Sequence, residues 1–143
     1  VINRYGTGIQ TTAIYKDFGL ARGALASTIS HDSHNLTVAY RDPKDAYLAA
    51  GTLRECAGGV CIADNGEVTT LPLPVAGLMS QMVCADVAAQ IEAVQKKLDT
   101  MTDGTVTLLA TAIMALPVLP GVIITDRGLV DGLSKQFIEQ FEG

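Results

Sequence analysis

Tryptophan is absent from this sequence, and aromatic residues make up only 5% of it. That excludes a stacking platform for nucleic-acid bases. Basic residues are scarce as well: 10 Lys and Arg stand against 15 Asp and Glu, for a formal net charge of −5. Without a basic surplus to neutralise phosphates, nucleic acid is not an expected partner. Charge of either sign reaches only 17%, against 48% hydrophobic residues, which excludes a disordered chain. Cysteine is limited to Cys56, Cys61 and Cys84, an odd number with no CxxC pair. A disulfide framework and a zinc cage are therefore not expected, and a reducing, cytoplasmic setting is.

The longest uncharged run, Gly104 to Thr125, covers 22 residues and has the length of a membrane span. Pro117, Pro120 and Gly121 interrupt it, and flanking basic and aromatic belts are missing. It reads instead as a buried helix or strand over Val106–Leu116, a proline turn, and a short buried strand over Val122–Thr125, with no membrane partner. No charged segment precedes an apolar stretch at the start, so no signal peptide is expected. The chain opens on Val1 rather than Met, as a piece of a longer polypeptide would. Its 143 residues suffice for a single domain, 1–143, with one core.

What is present suggests short elements. Ile9–Tyr15, Ala24–Ile29 and Leu36–Tyr40 read as strands, the last with Leu36, Val38 and Tyr40 on one face. Asp42-Pro43 starts a helix: Asp42 can cap, and proline fits the first helical position. Ala46, Ala50, Leu53 and Ala57 recur at helical spacing, and Gly58-Gly59 is the expected left-handed stop. Asn65-Gly66 between Val60–Ala63 and Val68–Leu71 signals a hairpin. Pro72–Ser80 cannot continue a strand interior and reads as a loop. Val87, Ile91, Val94, Leu98 and Met101 form one stripe of a second helix, with Asp86 in its first turn and Lys96 and Lys97 in its last. Asp126-Arg127-Gly128 turns, and Leu133–Glu142 reads as a short amphipathic tail. The order lacks regular βαβ alternation. The expected class is α+β: a largely antiparallel sheet of about six short strands with two or three helices packed on it.

Ser30-His31-Asp32-Ser33-His34-Asn35 is a polar block between two apolar strands, and it holds the only two histidines. Three readings compete for it. The plainest is a turn whose Asp, Ser and Asn side chains bond its own backbone. A metal site drawing on His31, Asp32 and His34 is hindered because neighbouring residues on an extended segment diverge. A Ser-His-Asp relay is weaker still, because consecutive residues do not readily hydrogen-bond in series.

The block also belongs to a recognisable series. Arg22-Gly23-Ala24 followed by Ser30–Asn35, then Leu71-Pro72-Leu73-Pro74-Val75-Ala76-Gly77-Leu78-Met79-Ser80, Ala115–Pro120 and Thr125–Asp131, resemble in order the motifs of the C-terminal domain of bacterial adenine deaminases. The resemblance implies part of a hydrolase of the amidohydrolase superfamily, working in purine salvage, that converts adenine and water to hypoxanthine and ammonia. It implies a metal-dependent barrel, in the same polypeptide or another subunit, carrying a divalent ion (Mn, Fe or Zn). This chain has no His-x-His pair, so that metal centre is expected in the barrel, with no cofactor bound by these residues. On the same resemblance His31 and Asp32 are candidate catalytic residues, and Ser33, His34 and Asn35 candidate substrate-binding residues. Adenine offers ring-nitrogen acceptors and an amine donor: His31, His34 and Asn35 can donate, and Asp32 can accept or shuttle a proton if burial raises its pKa. A homo-oligomer is also expected. The alternatives are a free-standing purine-binding or interaction module and a purely structural or oligomerisation domain.

Overall fold

The structure, a computed structural model, describes residues 1–140. In chain order these form β1 (Ala24–Ser27), β2 (Thr37–Tyr40), α1 (Pro43–Glu55), β3 (Gly59–Asp64), β4 (Glu67–Pro72), α2 (Cys84–Thr102), α3 (Leu108–Ile113), β5 (Val122–Thr125), β6 (Gly128–Asp131) and β7 (Phe137–Ile138). The class is α+β, as expected, but the strands divide between two antiparallel sheets, ordered β2-β1-β3-β4 and β5-β6-β7.

The first sheet lies between α1 and α2. Side chains alternate across a strand, so its two faces build two cores. Leu25, Val60, Ile62 and Leu71 join Val94, Leu98 and Met101 of α2. On the other face Ala26, Cys61 and Ala63 meet Ala49 and Leu53 of α1. The large residues face α2, whereas small ones let α1 approach closely.

The helix and turn signals act where the sequence places them. Asp42 Oδ1 accepts from the N–H groups of Lys44 at 2.7 Å and Asp45 at 3.3 Å. Asn65 and Gly66 both have positive φ, 53° and 83°, as a tight β3–β4 hairpin requires. Pro72 is the last residue of β4, an edge strand, where its missing N–H costs no ladder bond.

Several expectations change. Ile9–Tyr15 is not a strand: Gln10 makes a lone bridge to Ile2, and Ile14 and Tyr15 are exposed, so the β-branched run gains no partner strand. Helix α1 buries Asp45, Ala49 and Leu53 rather than the Ala46–Ala50 stripe. The cause is Asp45, whose carboxylate accepts from the N–H groups of Asn65 and Gly66, each at 3.0 Å, and so turns the helix toward the hairpin. The positive-φ stop after α1 already begins at Ala57, at φ 62°, and continues through Gly58 and Gly59 at 117° and 135°, where the glycines also allow close approach. A Cβ on Gly59 would lie 2.0 Å from the Leu71 carbonyl oxygen. Helix α2 runs on to Thr102, so Lys97 lies more than a turn before its end and reaches sideways to Asp64 at 2.9 Å. The turn after Thr125 continues into β6, and Phe137–Ile138 of the expected tail pairs with it; residues 141 and 142 lie outside the described residues. The Val106–Leu116 ambiguity resolves as α3, capped by the Thr107 hydroxyl. Among the described residues no helix is long and apolar enough to cross a membrane.

Candidate functional site

The polar block joins two antiparallel neighbours, β1 and β2, and so turns the chain back at one end of the first sheet. Its ends are anchored inward. Ser30 is fully buried and its hydroxyl accepts from Thr37 Oγ1 at 2.9 Å. Asn35 is 3% exposed. The His34 N–H closes the turn onto the Ser30 carbonyl at 2.6 Å, and the His31 N–H donates to the Ala112 carbonyl of α3 at 2.8 Å.

Between these anchors His31, Asp32 and Ser33 point outward. The His31 and Asp32 side chains meet: Nδ1 lies 2.8 Å from Oδ1, with 57% and 65% of each side chain exposed. A pair this exposed adds little to stability. Its chemical consequence is larger: an imidazole, able to donate or accept, and a carboxylate, able to accept, stand side by side on the open face of the turn. The His34 ring lies 6.3 Å from that of His31, and His34 Nδ1 and Asn35 Oδ1 are buried without a hydrogen-bond partner. The structure thus brings His31, Asp32, Ser33 and His34 to one outward turn and places Asn35 beneath it.

Further residues, which the sequence pattern did not single out, hold this turn. Arg4 Nε donates to the His34 carbonyl, and Tyr5 Oη donates to the Ser33 carbonyl at 2.8 Å. Ile2 and Leu36 exchange backbone hydrogen bonds at 2.8 and 3.0 Å. The Pro72–Ser80 loop also arrives here. Val75–Met79 forms a tight hairpin turn, with Ala76 and Gly77 both at positive φ. Arg4 Nη2 donates to the Ala76 carbonyl at 2.5 Å, and Thr28 Oγ1 donates to the Gly77 carbonyl at 2.6 Å.

A metal does not fit these residues. Among the described residues no group of three His, Cys, Asp or Glu side chains could hold an ion. His31 Nδ1 and Asp32 Oδ1 stand 2.8 Å apart on the exposed turn. A cavity of about 580 Å³ is lined by residues 12–16, β2 and the second sheet rather than by the turn. The polar block is therefore an open surface carrying ordered polar groups.

Comparison with known proteins bears on what that surface serves. The family model for the adenine deaminase C-terminal domain matches residues 1–136. An adenine deaminase of Leuconostoc citreum is 40% identical over 96% of this chain but only 25% of its own length. One from Moorella thermoacetica is 39% identical over 100% of the chain and 24% of its own length. One from Cereibacter sphaeroides is 44% identical over 92% and 24%. The chain spans about a quarter of the length of these curated relatives.

Proposed function

The chain belongs to the adenine deaminase C-terminal domain family, and from that premise we propose that it is a single domain of an adenine deaminase, closing the active site of a metal-dependent barrel supplied by the rest of the polypeptide or by another subunit. The whole enzyme takes adenine and water to hypoxanthine and ammonia in cytoplasmic purine salvage. The divalent ion, Mn, Fe or Zn, belongs to the barrel, since the described residues of this chain do not fit it.

One observation supports the reading above the rest: an exposed but internally ordered His31–Asp32 pair on a turn anchored from beneath. Groups kept in place without being buried suit a surface that another domain covers. Asp32 stands beside the His31 ring at 2.8 Å, and the His31 imidazole is the group offered to the purine or to a proton in transit. Ser33 and His34 supply further edge contacts, and Asn35 supports the turn from below. Exposed apolar residues such as Met79, Leu109 and Val118 fit contact with the barrel or with a second subunit in a homo-oligomer.

The test uses the complete enzyme with Asp32→Asn and His31→Asn. We expect kcat/KM to fall 100-fold or more at unchanged metal content, a loss of about 2.7 kcal/mol of transition-state stabilisation. Near-normal kcat/KM in both variants overturns the role of the turn. The isolated chain, mixed with adenine and Mn, Fe or Zn, is expected to release no hypoxanthine.

A further inference from the structure

Two motifs far apart in sequence meet at one residue that belongs to neither. Arg4 donates through Nε to the His34 carbonyl and through Nη2 to the Ala76 carbonyl. These two N–H groups lie on one edge of the guanidinium and form a rigid side-on fork, so the distance between the two carbonyls is set by the width of that fork. Gly77 is shaped to admit it: a Cβ there would lie 2.6 Å from Arg4 Nη1 and 3.0 Å from Thr28 Oγ1. Tyr5 adds a second strap, to the Ser33 carbonyl at 2.8 Å. On one side of the fork stands the polar His31–Asp32 turn. On the other stands the Val75–Met79 hairpin, whose Val75 and Met79 are 36% and 56% exposed. A flat heteroaromatic ligand needs both kinds of wall, polar at its edge and apolar at its face.

We propose that Arg4 is a positioning residue for the deaminase, holding the 30–35 turn and the 75–79 hairpin at one spacing so that they act as a single rim. This rests on the reading of the turn as part of the active site. Arg4 hydrogen-bonds to backbone carbonyls and stacks over the Tyr5 ring, 5.5 Å from its centroid, so its effect on turnover passes through the His31–Asp32 pair.

The complete enzyme is examined as Arg4→Ala, Arg4→Lys and Arg54→Ala, each alone, and as Arg4→Ala combined with Asp32→Asn. Arg4→Ala is expected to lower kcat/KM at least tenfold at unchanged metal content. Arg4→Lys should restore only part of this, because a single ammonium does not reproduce a two-donor fork. Arg54→Ala, which removes a like charge from the end of α1, should leave kcat/KM unchanged. On the Asp32→Asn background the further loss from Arg4→Ala should be under threefold, since the pair it positions is already disabled. Hydrogen exchange of the peptides covering 30–36 and 73–79 should quicken together in Arg4→Ala. Unchanged kcat/KM in Arg4→Ala, or a loss that multiplies fully on the Asp32→Asn background, overturns the proposal. If Arg4→Ala does not fold, Arg4→Lys carries the same cycle. A silent Asp32→Asn sinks the active-site reading, and unchanged exchange at either segment sinks the positioning role, so the two failures are told apart.

Discussion

Strands β3 and β6 are both central strands of antiparallel sheets, yet β3 is buried at all six positions and β6 is fully buried at none of its four. Their compositions do not explain this, for Val-Cys-Ile-Ala and Leu-Val are both apolar. The difference is layering. β3 has α1 over one face and α2 over the other, so each side chain leaves water whichever way it points. The second sheet has three short strands and leaves Val122 and Phe137 exposed. Central position pairs the backbone; only a covering layer removes side chains from water.

The contrast can be tested by matched truncations. Leu98→Ala, at a fully buried α2 position against the first sheet, should cost about 2–5 kcal/mol in urea unfolding, whereas Ile138→Ala in β7 should cost under about 1 kcal/mol. Equal losses would break the comparison. Asp45→Ala probes how the first sheet is tied to its helix. It strips the charged acceptor from two turn N–H groups and should cost about 2 kcal/mol by the same measurement.

Asp64 sharpens the comparison through pH. It closes β3 at the rim of the first sheet, where Lys97 and Arg22 cover it at 2.9 and 3.1 Å. Lys97 foremost, with Arg22, holds its carboxyl below the usual carboxylate range, against the opposing effect of desolvation. Its folded pKa is depressed, so its stabilisation is complete above the unfolded value of about 3.9 and is lost as pH falls through the lower folded value. Wild type should exceed Asp64→Asn by about 1.5 kcal/mol near neutrality, and the gap should close in acid. A gap independent of pH down to full protonation would contradict this. The smallest change expected is a gain. Gly51 lies within α1 with nothing near where a Cβ would stand, so Gly51→Ala should raise stability by about 1 kcal/mol in thermal or urea unfolding.

Much of the fold was legible because its signals are local. The Asp42 cap, the Asn65-Gly66 turn and the α2 stripe through Val94, Leu98 and Met101 each act within a few residues. The errors came where a distant partner competed. The α1 stripe reads as Ala46, Ala50, Leu53 and Ala57 until the hairpin N–H groups draw Asp45 inward. Ile9–Tyr15 reads as a strand until no neighbouring strand lies beside it. The candidate site divides in the same way. His31, Asp32 and the rest of the block stand out as six consecutive polar residues, but nothing local says that His31 faces out while Asn35 faces in.

By itself the sequence determined the class, the hairpin, the start of α1, the stripe of α2 and, through four ordered motifs, the family. Those follow from side-chain types at short spacing, which a linear chain displays directly. Only the tertiary structure decided that the strands form two sheets, that Asp45 is a buried clamp, and that Arg4 joins the His34 and Ala76 carbonyls. The reason is physical. Arg4 binds main-chain oxygens, and every residue carries one, so no side chain in either motif advertises the contact. Such a contact exists only once the chain has folded and two particular carbonyls stand within the reach of one guanidinium.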